Sequence, residues 1–121
     1  MKNIEEIYQT IDRIVEAQKK ARLTNDYLTL LVNAEALLER IPQLIIYSTE
    51  EEHSYRKFEA RLADTVVDGK RNSSAFAETQ AKAQDFYKNW QRSKLFMELI
   101  MEYVNLSKKL ASSVNQEFNA N

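Results

Sequence analysis

One glycine and one proline leave this 121-residue chain almost without punctuation. Turns ordinarily demand both residues, so a chain with so few has few connections and long helices between them. The longest uninterrupted stretch runs from Ser73 to about Ser113 and contains neither. It is dense in Ala, Gln, Lys, Glu, Leu and Met, all good helix formers. The spacing predicts one helix over 73–114, roughly 60 Å long at 1.5 Å per residue. Its expected apolar stripe is Phe76, Thr79, Ala83, Phe86, Trp90, Met97, Val104, Ala111 and Val114, widened by Tyr87, Leu99, Ile100, Tyr103, Leu106 and Leu110. Such a stripe has to be buried against other helices or a second copy of itself. The fold expected is all-α: an elongated antiparallel helical hairpin or bundle with a long C-terminal helix, coiled-coil-like.

The remaining helices are set by caps and periodicity. Asn3 can cap a first helix over about 3–22, with Glu5 and Glu6 in its first turn and Lys19, Lys20 and Arg22 near its end. Its face is Ile4, Ile7, Ile11, Ile14 and Ala21, with Tyr8 and Val15 beside it. Three weak helix formers at Thr24-Asn25-Asp26 favour a break there over one helix running through Leu23–Asp26. A second helix over about 26–41 has apolar residues around much of its circumference (Tyr27, Leu28, Leu30, Leu31, Val32, Ala34, Leu37, Leu38, Ile41), which predicts burial on more than one side. Pro42 ends it and opens the next, so Gln43–Tyr47 reads as a packed first turn or two. Thr49 stands three residues before Glu52 in a capping-box pattern, starting a third helix or lying within it. That helix reaches about Val67. Residues 67–72 form a loop in which Gly69 can take the left-handed helix-ending conformation. Ser73 or Ser74 caps the long C-terminal helix, and a frayed tail is expected over 115–121. The whole, 1–121, is expected to be a single helical domain.

Composition removes several function classes. Without cysteine there is no disulfide, thiolate nucleophile or Cys-based metal site. The N-terminal stretch has acids within its first six residues and no apolar core, and no apolar run is long enough to span a bilayer. An intracellular, cytoplasmic protein is expected. The net charge of −1 hides an asymmetry: residues 1–55 carry 6 basic and 10 acidic side chains, residues 56–94 carry 9 and 5, and the remainder 2 and 3. The middle is mildly basic, but the pI of about 5.9 is far from that of a nucleic-acid-binding domain.

No catalytic, cofactor-binding or metal-binding residue is expected. His53 is the sole histidine, and it comes after three consecutive acids, Glu50 to Glu52, that point in different directions on a helix. Glu35 with Glu39 and Glu98 with Glu102 share helix faces, yet helical di-metal sites need a Glu-x-x-His on each of two helices. One glycine excludes the phosphate-cradling loops that need several. The chain reads as non-enzymatic, with no cofactor.

An aromatic and basic band is the most suggestive surface. Tyr55, Arg56, Lys57, Phe58 and Arg61 stand on one expected arm, Lys70 and Arg71 at its tip, and Lys82, Phe86, Tyr87, Lys88, Trp90, Arg92 and Lys94 on the other. Bases there can track a phosphate backbone while aromatics stack on nucleobases. The plainer account makes Phe58, Phe86 and Trp90 the seam between arms, with the basic residues on the wet side. Tyr87 and Trp90 also suit a protein interface.

The run Tyr55-Arg-Lys-Phe-Glu-Ala, the short loop with Gly69, and Ser74-Ala-Phe-Ala-Glu-Thr-Gln-Ala-Lys-Ala resemble small helical early-region accessory proteins of tailed bacteriophages. The resemblance extends over about 51–110, with Phe86, Tyr87, Trp90, Arg92 and Lys94 in the aromatic–basic segment before the closing helix. It implies a viral, non-catalytic protein working among recombination and replication genes, and transfers no catalytic residue. Three functions are therefore expected to compete. The first is an accessory protein acting by protein contacts in phage DNA recombination or replication, touching single-stranded DNA in one version. The others are an inhibitor of a host defence protein and a structural coiled-coil homodimer.

Overall fold

The computed structural model describes residues 3–120, with side chains described through Ser113. The chain is all-α apart from one minute hairpin: α1 (Ile4–Leu23), α2 (Tyr27–Leu38), α3 (Ile41–Asp64), β1 (Val66–Val67), β2 (Lys70–Arg71), α4 (Ser74–Lys82) and α5 (Asp85–Ala120). Its contacts divide it into two compact units, unit 1 comprising Met1–Gln43 with Phe96–Asn121 and unit 2 comprising Leu44–Leu95. Among the described residues no helix is long and apolar enough to cross a membrane.

Local chemistry sets most of the boundaries. The Asn3 side chain accepts the Glu5 amide at 3.1 Å and starts α1. α1 ends at Leu23, and two residues on Asn25 takes a left-handed φ of 55°, a conformation Asn tolerates better than most residues. Asp26 then caps α2, accepting from the Thr29 amide at 3.2 Å and its hydroxyl at 2.6 Å. These bonds favour the ionised carboxylate and hold the Asp26 pKa below its usual value. Pro42 occupies the first turn of α3, where its missing N–H costs nothing, and Thr49 lies inside that helix. Ser73 caps α4 by accepting the Phe76 amide at 3.1 Å.

Three boundaries differ from expectation. α3 stops at Asp64, and Val66↔Arg71 and Val67↔Lys70 pair as an antiparallel hairpin. Both turn residues have positive φ (Asp68 53°, Gly69 78°), the geometry of the Asp-Gly two-residue turn that matches strand twist. Gly69 therefore serves a hairpin rather than a helix C-cap. Second, the single helix expected over 73–114 is two, broken at Ala83–Gln84. No breaker residue stands there. The division lets α4 bury Ala77 and Ala81 while Phe76 stays 46% exposed, and Thr79 and Ala83 are also exposed, so the stripe expected for this segment is displaced. Third, the tail expected to fray over 115–121 is helical backbone through Ala120, in keeping with its Gln, Glu and Ala. Asn121 and the side chain of Val114 lie outside the described part.

The core of unit 1 is built by α1, α2 and the C-terminal part of α5. α1 buries Ile7, Tyr8, Ile11, Val15, Gln18 and Ala21, and α5 buries Ile100, Val104 and Ser107. The Tyr8 and Phe96 rings stack with centroids 4.1 Å apart. Gln18 ties the three helices together: its Nε2 donates to Leu30 O on α2 and to Ser107 Oγ on α5, each at 2.9 Å. The Ser107 hydroxyl in turn donates to Tyr103 O at 2.8 Å. Burial of α2 on several sides does not occur. It buries only Leu30, Ala34 and Leu37, leaving Leu28, Leu31, Val32 and Leu38 in solvent, because its neighbours cover one side.

In unit 2, α3 runs antiparallel to the start of α5, as the descending pairs Glu51–Asn89, Tyr55–Tyr87 and Phe58–Phe86 require. Leu44, Ser48 and Tyr55 form the buried line of α3, whereas Ile45 and Ile46 are exposed, so the apolar start of this helix is packed on one side only. Asn72 Nδ2 donates to Leu62 O at 2.8 Å, satisfying a carbonyl of the last turn of α3.

Candidate partner-binding surface

The aromatic part of the expected band condenses around Tyr55. Tyr55 and Phe58 are three residues apart on α3, and Tyr87 and Trp90 three apart on α5, so each pair lies on one helix face. The Tyr55 ring lies 5.0 Å from Tyr87 and 5.5 Å from Trp90, tilted against both. Tyr87 meets Trp90 edge-on at 6.1 Å, and Phe58 and Phe86 lie 5.4 Å apart. These are the tilted and edge arrangements that aromatic quadrupoles favour. Tyr55 is buried and Trp90 only half-buried, so the cluster has a closed inner member and an open outer one.

Two cations lie over the outer ring. The Arg56 guanidinium carbon is 5.6 Å and the Lys94 ammonium 5.2 Å from the Trp90 centroid, within cation–π range. Arg56 comes from α3 and Lys94 from the next turn of α5, so the contact spans both helices. Arg56 also pairs with Glu52 at 3.5 Å, and Asn89 Nδ2 donates to Glu51 Oε2 at 3.4 Å. Burial, reinforced by a hydrogen bond to the Glu59 carboxylate, pushes the Tyr55 pKa up; the Lys82 ammonium acts weakly against it. On α4, Lys82 and Glu78 pair at 2.7 Å, which raises the lysine and lowers the glutamate, both solvent-exposed.

Of the residues singled out by sequence, Tyr55, Arg56, Tyr87, Trp90 and Lys94 are brought into one cluster. Lys57 and Arg61 are exposed on α3, and Lys88 and Arg92 exposed on α5. Lys70 and Arg71 form β2, exposed in the hairpin. Two features escaped the sequence reading. Glu52, at i−4 from Arg56, neutralises part of the band, and that spacing was visible. Gln18 completes the buried line of α1, where its phase fits and only its polarity conceals it. It lines a half-open cleft of about 120 Å³ in unit 1, with Arg22, Tyr103 and Leu106 among the walls, and its Oε1 has no hydrogen-bond partner.

Among the described residues no group of three or more His, Asp or Glu side chains is placed to hold a metal ion. No family profile matches the chain, and neither curated proteins nor solved structures give a significant match.

Proposed function

We propose that the chain is a non-catalytic accessory protein that works by docking a protein partner on the Tyr55–Tyr87–Trp90 cluster of unit 2. The observation that carries this reading is the half-buried Trp90 ring held by Tyr55 and Tyr87 and overlain by Arg56 and Lys94. Trp, Tyr and Arg dominate binding hot spots, and a ring already fixed by packing loses little entropy on association. Nucleobase stacking is less well supported, since it needs an open aromatic face and a basic field. Here the chain's own cations lie over Trp90, and unit 2 carries 9 basic against 8 acidic side chains. The resemblance to early-region phage proteins favours a partner from DNA recombination or replication over a host defence protein.

Trp90 is the only tryptophan, so its fluorescence reports this surface alone. Titration with a single-stranded oligonucleotide at low salt is expected to leave the emission unchanged. Affinity capture from infected cells with the wild-type chain is expected to recover a recombination or replication protein, and Trp90→Ala or Arg56→Glu to lose it. Salt-dependent quenching by DNA that disappears on changing Arg56, Lys57, Lys88 and Arg92 would replace the protein-docking reading with a nucleic-acid one. Recovery of a host nuclease or sensor would shift the partner to host defence.

A further inference from the structure

We infer that the half-open cleft of unit 1 is a binding site for a small zwitterion, an α-amino acid with a short aliphatic side chain. The inference concerns unit 1 alone and does not rest on the docking surface of unit 2.

The floor of the cleft is the Gln18 amide. Gln18 is 1% exposed, and the two acceptors of its Nε2, Leu30 O and Ser107 Oγ, belong to residues that also line the cleft. Leu30 O is a carbonyl, so only the N–H side of the amide can face it, which fixes the position of the amide oxygen. Oε1 is left as a buried acceptor without a donor. Buried acceptors ordinarily have one, so an occupant of the cleft has first to bring an N–H or O–H.

The mouth sets the other requirements. Arg22 from α1 and Glu102 from α5 both line the cleft, and both are exposed. Among the described residues neither belongs to an ion pair, so opposite charges share one small opening without neutralising each other. Lys19, the other cation there, is held by Glu16 at 3.0 Å. A simple amine suits Gln18 and Glu102 but sets a cation against Arg22. A simple carboxylate suits Arg22, is repelled by Glu102 and offers Gln18 nothing. A zwitterion meets all three: its ammonium donates to Gln18 Oε1 and to the Glu102 carboxylate, and its own carboxylate takes the planar fork of Arg22.

The walls limit its size. Leu30, Tyr103 and Leu106 supply an apolar lining for a short side chain. The cleft of about 120 Å³ is somewhat smaller than the cavity of about 150 Å³ that holds one benzene, so it admits about six non-hydrogen atoms, the size of alanine. So small a ligand in an open cleft makes few contacts, and binding in the millimolar range is the consequence.

Two-dimensional NMR of the full, isotope-labelled chain tests the site by following the Gln18 side-chain amide during titration with L-alanine, propionate and ethylamine. L-alanine is expected to shift that resonance saturably. Propionate, which lacks the ammonium, and ethylamine, which lacks the carboxylate, are expected to bind at least about tenfold more weakly. Arg22→Gln and Glu102→Gln, both at exposed positions, are each expected to weaken L-alanine at least about tenfold, with circular dichroism confirming the helices. Gln18→Met is expected to abolish binding as read at the Ser107 backbone amide; should that variant lose its helices, the two mouth variants decide the question. No saturable shift with L-alanine, propionate or ethylamine binding as well as L-alanine, or folded Arg22→Gln and Glu102→Gln chains that bind L-alanine undiminished, each overturns the site.

Discussion

Replacing Gln18 separates two contributions that its side chain combines. The amide nitrogen makes two buried hydrogen bonds, each worth about 1 kcal/mol net. The amide oxygen is buried without a partner, which costs about 1 kcal/mol or more in the native state. Gln18→Ala loses both bonds and about two methylene equivalents of packing, near 0.8 kcal/mol each, while regaining the cost of the orphaned oxygen. The net destabilisation expected is about 2–3 kcal/mol. Gln18→Met loses the same bonds and regains the same cost, but keeps the volume and sets an apolar side chain beside Leu30, Tyr103 and Leu106, which line the adjoining cleft, so about 1 kcal/mol or less is expected. Urea unfolding monitored by circular dichroism, compared at a common slope, reads both values. If Gln18→Met costs as much as Gln18→Ala, the reasoning fails. That outcome means a water in the adjoining cleft satisfies the oxygen, so that the whole amide is stabilising.

Other consequences are local to unit 2. Ala81 is fully buried on α4, so Ala81→Leu is expected to overpack its surroundings by about 1–3 kcal/mol, seen as a lower midpoint of thermal unfolding. Gly69 has a φ of 78° with nothing within 4 Å of an added Cβ; Gly69→Ala therefore costs backbone strain alone, about 1–2 kcal/mol. Faster exchange of the Asn72 amide, which donates to Thr65 O across the hairpin, would register it. The Tyr55 pKa is raised in the fold above its ordinary 10.0, so the folded state favours the neutral phenol. Its contribution is complete below pH 10.0 and is lost as pH rises through the folded pKa; phenolate absorbance is expected to show one tyrosine ionising late, absent in Tyr55→Phe.

Where the local chain carried its own instructions, the structure obeys them. Asn3, Asp26 and Ser73 accept the amides that open their helices, Asn25 takes the left-handed turn, and Pro42 sits where a missing N–H is harmless. These are interactions within three or four residues, so composition and spacing contain them. The Asp68-Gly69 hairpin was only half legible: Val66-Val67 before Asp-Gly favour a strand and the turn, but Lys70-Arg71 after it do not, so by sequence Gly69 reads as the end of a helix. The aromatic seam of α3 and α5 was legible too, because Tyr55, Phe58, Phe86 and Trp90 recur at helical spacing on two arms joined by a short connection. So was the all-α class, which the scarcity of glycine and proline nearly imposes.

Tertiary packing decided the rest, because it depends on which neighbours arrive. The break at Ala83–Gln84 has no breaker residue; two buried alanines on α4 and the aromatics of α5 are presented by separate helices. Arg56 could not be placed over Trp90 from sequence, as the two meet only when α3 and α5 align. α2 is the plainest case. Its leucines announce that something must cover them, and only the fold reveals that its own chain covers just one side. Sequence therefore determined that this protein is a set of long amphipathic helices with an aromatic–basic seam. The structure decided which apolar faces were spent within the chain and which were left open, since burial depends on pairs of surfaces and periodicity describes only one of them.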